Sequence, residues 1–377
     1  MSDLKEFFIT DFADILNAQR IPLSSMERSK RKGIYPYYGA SGIIDSVDGY
    51  LFEGEHLLVS EDGENLKSRQ TPIAFLANGK FWVNNHAHIL KGKKEFHNRL
   101  LCYYLESLDL HPFLTGAVQP KLNKASLTSI PIFLPENEDE QRNIVCILSS
   151  LDDKIDLLQR QNATLEAMAE TLFRQWFVEE AKEESSTQLL LGDLIESVSI
   201  THKLKSNEII FLNTSDIYLG EVLVHEYSTV KNLPGQAKKS IQKDDILFSE
   251  IRPANGRWAY IDFDADDYVV STKLMVLRSK KRISQAFVYF YLINKQTVEW
   301  LQMLAESRSG TFPQITFEQL RDLKINVPST EKLTEVSVFC EEAIQKIKSN
   351  NKQIRTLTTL RDVLLPKLMS GEVRVVV

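Results

Sequence analysis

The chain is short of everything that would staple a fold or anchor it. Its three cysteines, Cys102, Cys146 and Cys340, are scattered through 377 residues with no CxxC pair. That excludes a disulfide framework and a cysteine zinc site, and fits a reducing, cytoplasmic setting. No run of about 18 apolar residues occurs, so no membrane span is expected. The opening MSDLKEFFITDF has no basic start followed by an apolar core, so no secretory signal is expected. No GxxxxGK[ST] loop occurs, which excludes a P-loop motor ATPase. Long disorder is also excluded, because 43% of the residues are hydrophobic. A chain of this length is too long for one ordinary domain, and two is the better expectation.

Net charge also looks deficient for a nucleic-acid binder, at −6 overall. The deficit is local. Residues 136–184 hold 13 acidic and 5 basic side chains, residues 1–135 and 185–328 are each neutral, and residues 329–377 carry a net +2. Two neutral segments can each present a basic face. The acidic segment either pairs with the basic one or is simply solvated.

What is present is a heptad seam. Within PENEDEQRNIVCILSSLDDKIDLLQRQNATLEAMAETLFRQWF, apolar residues recur at steps of four and three: Ile144, Leu148, Leu151, Ile155, Leu158, then Asn162, Leu165, Ala169, Leu172 and Trp176. The spacing predicts a helix from about Glu136 to about Glu184. A weaker copy closes the chain, with Cys340, Ile344, Ile347, Asn351 and Ile354, followed by Leu357, Leu360 and Leu364 on a drifting stripe. At 1.5 Å per residue the first helix, about 45 residues, would span roughly 65 Å. Asn162 and Asn351 either lie on the seam and fix its register or sit just beside it.

The halves also repeat. Gly116–Pro135 lies on Gly310–Pro328, setting Pro120 on Pro313, Leu122 on Ile315, Leu127 on Leu320, Ile130 on Leu323 and Pro135 on Pro328. Both stretches end in a short alternating strand stopped by proline, IPIFLP and LKINVP, and a long helix follows each. Within each half, short strand signals dominate, among them HLLVS, TPIAFLA and HAHILK in the first, DILFSEIR and YVVSTKLMVLR in the second. Helices are expected at Glu95–Ser107 and Ile283–Ser307. The architecture expected is α+β: two mixed modules, 1–135 and 185–328, held apart by long heptad-bearing, coiled-coil helices at 136–184 and 329–377 that act as a spacer.

No catalytic constellation emerges. A glycine-rich cofactor loop and an Asn/Asp-Pro-Pro-aromatic tetrapeptide are both missing, which counts against a DNA methyltransferase. His86 and His88 would share a strand face, but no third ligand completes a metal spacing. The acidic run Glu61–Asn65 lacks the EF-hand pattern and reads as a turn around Gly63. What remains are cations and amides in loops, the side chains that base edges and phosphates require. The first half offers Lys67, Arg69, Gln119, Lys121 and Lys124. The second offers Lys238, Lys239, Arg252, Asn255, Arg257, Arg308 and Gln314. The sequence does not separate base readers from phosphate clamps.

On EDEQRNIVCILSSLDDKIDLLQRQNATLEAMAETLFRQWF, TPIAFLANGKFWVNNHAHIL, YPYYGASGIIDSVDGY, KDDILFSEIRP and LRDVLLPKLMSGEV, the chain resembles the specificity (S) subunits of type I restriction-modification systems. The resemblance implies two target recognition domains joined by two antiparallel helices. Each domain would read one half of a bipartite double-stranded DNA site, with the helices fixing the gap. It implies two methylation subunits carrying S-adenosylmethionine chemistry on adenine, and restriction subunits that add an ATP- and Mg-dependent nuclease. The S subunit itself would bind no cofactor and hold no active site. Phe173, Trp176 and Phe177, at the end of the first long helix, are expected to meet a methylation subunit. A catalytic methyltransferase or nuclease and an oligomerisation scaffold that never touches DNA are the competing readings.

Overall fold

The computed structural model describes residues 4–116, 119–175, 187–203, 206–280, 283–308, 310–327 and 330–375. Contacts divide the chain into two units. Unit one comprises Met1–Asp156 with Ile354–Val377, and unit two comprises Leu157–Gln353. The cuts fall inside both long helices rather than at their ends. Each module thus takes half of each helix into its own core.

Unit one begins with a ribbon, Leu4–Phe8 antiparallel to Pro131–Pro135. A four-stranded sheet follows in the order Ala13–Ile15, Ala87–Gly92, His56–Ser60, Ala74–Ala77. A second sheet has the order Gly42–Val47, Lys32–Gly39, Lys80–Val83, Phe52–Glu53, with its middle pair parallel. Unit two repeats this plan. Its ribbon is Thr187–Leu190 with Lys324–Val327. Its sheets run Ile195–Ser197, Leu274–Ser279, Ile246–Ser249, Trp258–Tyr260, and Ser228–Thr229, Glu208–Leu212, Tyr268–Ser271, Ala237–Ser240. Here too the middle pair of the second sheet is parallel.

The apolar runs that marked these strands have a physical cause. Side chains alternate across a strand. In HLLVS, Leu57 and Val59 enter one core with Ile9, Leu100 and Ile144, while Leu58 enters another with Phe52, Phe81 and Val83. In ILFS of unit two, Ile246 and Phe248 face one core and Leu247 the other. A strand covered on both faces needs a continuous apolar run, and each such side chain contributes about 1.5–3 kcal/mol by burial.

The first long helix runs Glu138–Arg174 and the second Thr330–Met369. The expected helix end near Glu184 lies outside the described residues. In unit one, Ile144 and Leu148 share a core with Leu368 and Met369, and Asp152 bonds Arg361 at 2.9 Å. Glu140 bonds Arg374, so partner numbers fall as helix numbers rise, which makes this pairing antiparallel. In unit two, Ala169 and Phe173 pack with Val336, Cys340 and Ile344, and Leu165 and Ile347 lie against them. Ile155 and Leu158 are buried, while Leu151 and Ile354 are half-buried. On the drifting stripe of the second helix, Leu360 is 44% exposed, while Leu357 is half-buried and Leu364 packs against the unit-one core.

Three expectations need correction. The helix expected over Ile283–Ser307 is two, Gln285–Ile293 and Lys295–Arg308, because Asn294 adopts φ −55°, ψ 135° between them. Phe173 is not a free partner surface but a core residue, 3% exposed, with its ring 5.1 Å from that of Phe287. Trp176 and Phe177 lie outside the described residues. Finally, His86 and His88 do not share a face: His86 precedes the strand and bonds Asp62 at 2.9 Å, while His88 is fully buried. Among the described residues no cluster of three His, Cys, Asp or Glu side chains is placed to hold a metal, and no helix is long and apolar enough to cross a membrane.

Candidate nucleic-acid interface

The repeated proline–strand segments return in each unit to the end of the central strand. In unit one, Leu122 N donates to Glu61 O at 2.8 Å and Gly63 N to Pro120 O at 3.1 Å. In unit two, Ile315 N donates to Glu250 O at 2.8 Å and Arg252 N to Pro313 O at 3.2 Å. Each unit therefore holds a pair of bridged loops at the same place in its fold. The anchors of both are apolar and fully buried, Leu122 and Leu127 in one, Ile315 and Leu320 in the other.

These bonds make Gly63 and Arg252 equivalent, and both have positive φ, 115° and 43°. Glycine adopts that conformation freely. Arginine does so at a cost, and such strain concentrates at functional positions. Arg252 is exposed, and its guanidinium donates to Thr311 O over a long 3.4 Å. Asn255, three residues on, is exposed, and Gln314 bridges to Ile251 beside it. Arg308 is exposed at the end of its helix, the helix that packs against the Pro253–Asn255 turn.

In unit one, Lys121 takes the place of Gln314. Its backbone pairs with Thr115 and its Nζ lies 3.6 Å from Glu61. Gln119 and Lys124 flank it and are exposed, as is Lys67. Asn123 starts the helix carrying Lys124, its Oδ1 accepting from Ser126 N at 2.9 Å. Beneath the loops lies a network that sequence reading did not find. Arg20 bonds Glu61 at 2.8 Å and Ala87 O at 2.8 Å. His88 Nε2 lies 2.7 Å from Leu122 O, and only a protonated Nε2 can donate to that carbonyl, which leaves Nδ1 to accept from Asn17 Nδ2 at 2.7 Å. Burial lowers the His88 pKa, in keeping with that neutral form. A histidine between Ala87 and Ile89 on an apolar strand was the only sequence signal of this anchor.

Three candidates spend their donors inside the protein. Arg69, at φ 49°, donates to Glu106 O at 2.9 Å and to Leu108 O, closing the end of helix His97–Ser107. Lys239 donates to Leu274 O at 2.8 Å and Thr272 O at 3.1 Å, and burial lowers its pKa. Arg257 donates to Ser215 O at 3.0 Å and Ile217 O at 3.1 Å and lies over the Tyr218 ring. It supports a hairpin whose tip, Tyr218–Leu219, is exposed. Lys238 is exposed on the strand Ala237–Ser240, on the other sheet of unit two. The loops thus gather Gln119, Lys121 and Lys124 in unit one, and Arg252, Asn255, Gln314 and Arg308 in unit two.

The chain matches the family model described as type I restriction modification DNA specificity domain twice, over residues 1–167 and 189–359. The HindI specificity subunit of Haemophilus influenzae is 42% identical over 176 residues, which are 46% of this chain and 38% of that protein. A putative type I specificity subunit from the same organism, S.HindORF215P, is 30% identical over 336 residues, covering 85% of this chain and 82% of the relative. The fold is shared with a crystal structure of a type I restriction-modification S subunit from M. genitalium, at a TM-score of 0.65 and 16% identity, over 97% of this chain and 96% of that one. With two family matches that fall one on each half of a duplicated fold, the chain belongs to the specificity subunits of type I restriction-modification systems.

Proposed function

We propose that unit one reads one half of a bipartite duplex site through the loops at 61–64 and 119–124, and unit two reads the other half through those at 250–257 and 310–315. The observation carrying this reading is the duplicated bridge, Leu122 to Glu61 and Ile315 to Glu250, each with cations and amides around it. Arg252, Asn255 and Gln314 supply the donors and acceptors that read base edges in a major groove. Lys67, Lys121 and Lys124 are suited to phosphates, which fix position without carrying sequence. In this reading the two long helices, 37 and 40 residues, set the gap between half-sites. Two methylation subunits and the restriction subunits dock on the chain. S-adenosylmethionine, ATP and Mg belong to them, and this subunit performs no chemistry.

The test is a gel shift with the chain assembled with its methylation subunits, guided by mapping methylated adenines in the source genome. A two-part methylated motif with a fixed gap, bound by the complex and lost when either half is scrambled, supports the reading. Methyl transfer by the isolated chain would instead make it an enzyme. An assembled complex indifferent to this subunit's loops would make it a scaffold only.

A further inference from the structure

Between the two long helices, within a largely apolar seam, lies a polar layer of buried Asn350 and half-buried Asn162 and Asn351. In unit two, Asn350 Nδ2 donates to Asn162 Oδ1 at 2.8 Å, and Asn162 Nδ2 donates to Asn351 Oδ1 at 2.6 Å. Asn350 is fully buried, and its Oδ1 is left without a partner among the described residues. Buried Leu158 and Ile344 lie on the same two helices close by. A seam gains stability from leucine or isoleucine at such positions, and an unpaired buried carbonyl costs it. Three adjoining amides on the seam, one of them buried with an unpaired carbonyl, ask for a role other than stability.

We propose that the Asn162–Asn350–Asn351 layer selects the register of the two long helices, and their pairing within one chain, and so fixes the gap between the half-sites. Its consequence for DNA rests on the function proposed above; its structural part does not. In unit one Asp152 faces Arg361. Ten residues on along the first helix Asn162 faces Asn351, ten residues back along the second, so one register holds in both places. A slip of one heptad destroys the layer whichever way it goes. One direction sets Asn162 opposite Ile344 and Asn351 opposite Ile155, both buried isoleucines. The other sets Asn162 opposite Thr358 and Asn351 opposite Ala169. Only the observed register lets the three amides meet. The apolar seam by itself offers no such discrimination, because leucine and isoleucine pack acceptably a heptad away. A slipped heptad moves one helix by about 10.5 Å, the rise of about three base pairs.

The experiment uses the full chain with Asn162→Leu, Asn350→Leu and Asn351→Leu together, in a background carrying Cys102→Ala, Cys146→Ser and Cys340→Ala. Register is read by a short bis-thiol cross-linker on one of two reporter pairs: Asp152→Cys with Arg361→Cys for the observed register, or Asp152→Cys with Ile354→Cys for a slipped one. With the asparagines present, only the first pair should cross-link and the protein should be monodisperse by light scattering. With leucines, thermal stability should rise, slipped cross-links should increase about tenfold, and mixed oligomers should appear. A leucine variant that stays monodisperse and cross-links only in the observed register overturns the proposal. Should the triple variant fail to fold, Asn350→Leu alone goes through the same measurement with the same two outcomes. In the assembled complex, slipped chains should also methylate sites whose gap differs by about three base pairs. Trapped slippage with an unchanged gap would overturn the link to DNA spacing while leaving the register assignment intact.

Discussion

Two arginines five residues apart should separate reading from folding. Arg252 is exposed with a strained backbone at the position where the other repeat has Gly63. Arg252→Gly removes the strain, about 1 kcal/mol. It also adds chain freedom to the unfolded state, about 0.5–1 kcal/mol in the other direction. Among the described residues, the side-chain bond given up is the long contact to Thr311 O at 3.4 Å. Net stability should therefore change by less than about 1 kcal/mol. Binding through the second half-site should fall by about 1–3 kcal/mol if Arg252 meets a guanine, which is roughly 5- to 150-fold. Arg257→Ala reverses the pattern. It strips the carbonyls of Ser215 and Ile217 of their donor and uncovers Tyr218. One nitrogen shared between two acceptors on a half-exposed side chain, with a ring contact, contributes about 1–2 kcal/mol. For a unit of this size that lowers Tm by about 3–6 °C. Arg257→Lys should recover less than half, because an ammonium cannot hold both carbonyls and the ring. The assays are thermal unfolding of the full chain, and titration of the assembled complex onto duplexes with either half-site scrambled. The reasoning is refuted if Arg252→Gly lowers Tm by more than Arg257→Ala does, or leaves second-half binding unchanged.

Phe173→Ala should destabilise unit two by about 3–5 kcal/mol, seen as an early unfolding transition, since the ring sits in the core beside Phe287; loss of partner assembly with unfolding unchanged would return it to the surface. Inserting one heptad into the first long helix between Asp156 and Leu157 should lengthen the methylated gap while leaving both half-site sequences intact, and an unchanged gap in a methylation map would defeat the spacer reading. The carboxyl of Asp45 is held down to about 2 by Lys32, by the Ser46 amide and by Arg28. Because its folded pKa lies below the ordinary 3.8, its stabilising contribution is present above pH 4 and is lost as the pH falls toward 2. Unfolding measured from pH 5 to pH 2 should show a steeper loss in the wild type than in Asp45→Asn, and parallel curves would contradict it.

Local chemistry made much of this legible. The match of Pro120 to Pro313 and Leu122 to Ile315 located the bridged loops, because proline and a buried apolar anchor each leave a mark on one position. The heptads located both helices and part of their buried face, Ile144, Leu148, Ile155, Leu158 and Ala169 on the first and Cys340 and Ile344 on the second, and Asn162 with Asn351 proved to meet on the seam. Asn350 escaped because it lies one place off the heptad, yet it is the more buried of the pair. Heptad counting assigns one residue per turn to the seam, whereas helices that approach closely bury the neighbour too. Arg69, Lys239 and Arg257 escaped for a different reason. A cation next to a loop looks alike whether it faces solvent or a carbonyl 40 residues away, and only the parallel and antiparallel pairings between distant strands decide. The pairing of Lys32–Gly39 with Lys80–Val83 has no local signature at all.

Unit one is closed by the last stretch of the chain. Leu368 and Met369 belong to the same core as Ile9 and Ile144, and Arg374 pairs with Glu140. On a ribosome adding about 5–20 residues per second, the first 156 residues emerge some 10–40 seconds before residue 354 does. Through that interval the first module has an open apolar wall on one side of its helix, and whatever covers it must later yield to the chain's own final helix. Order of synthesis and order of completion are therefore opposed: the module made first is finished last.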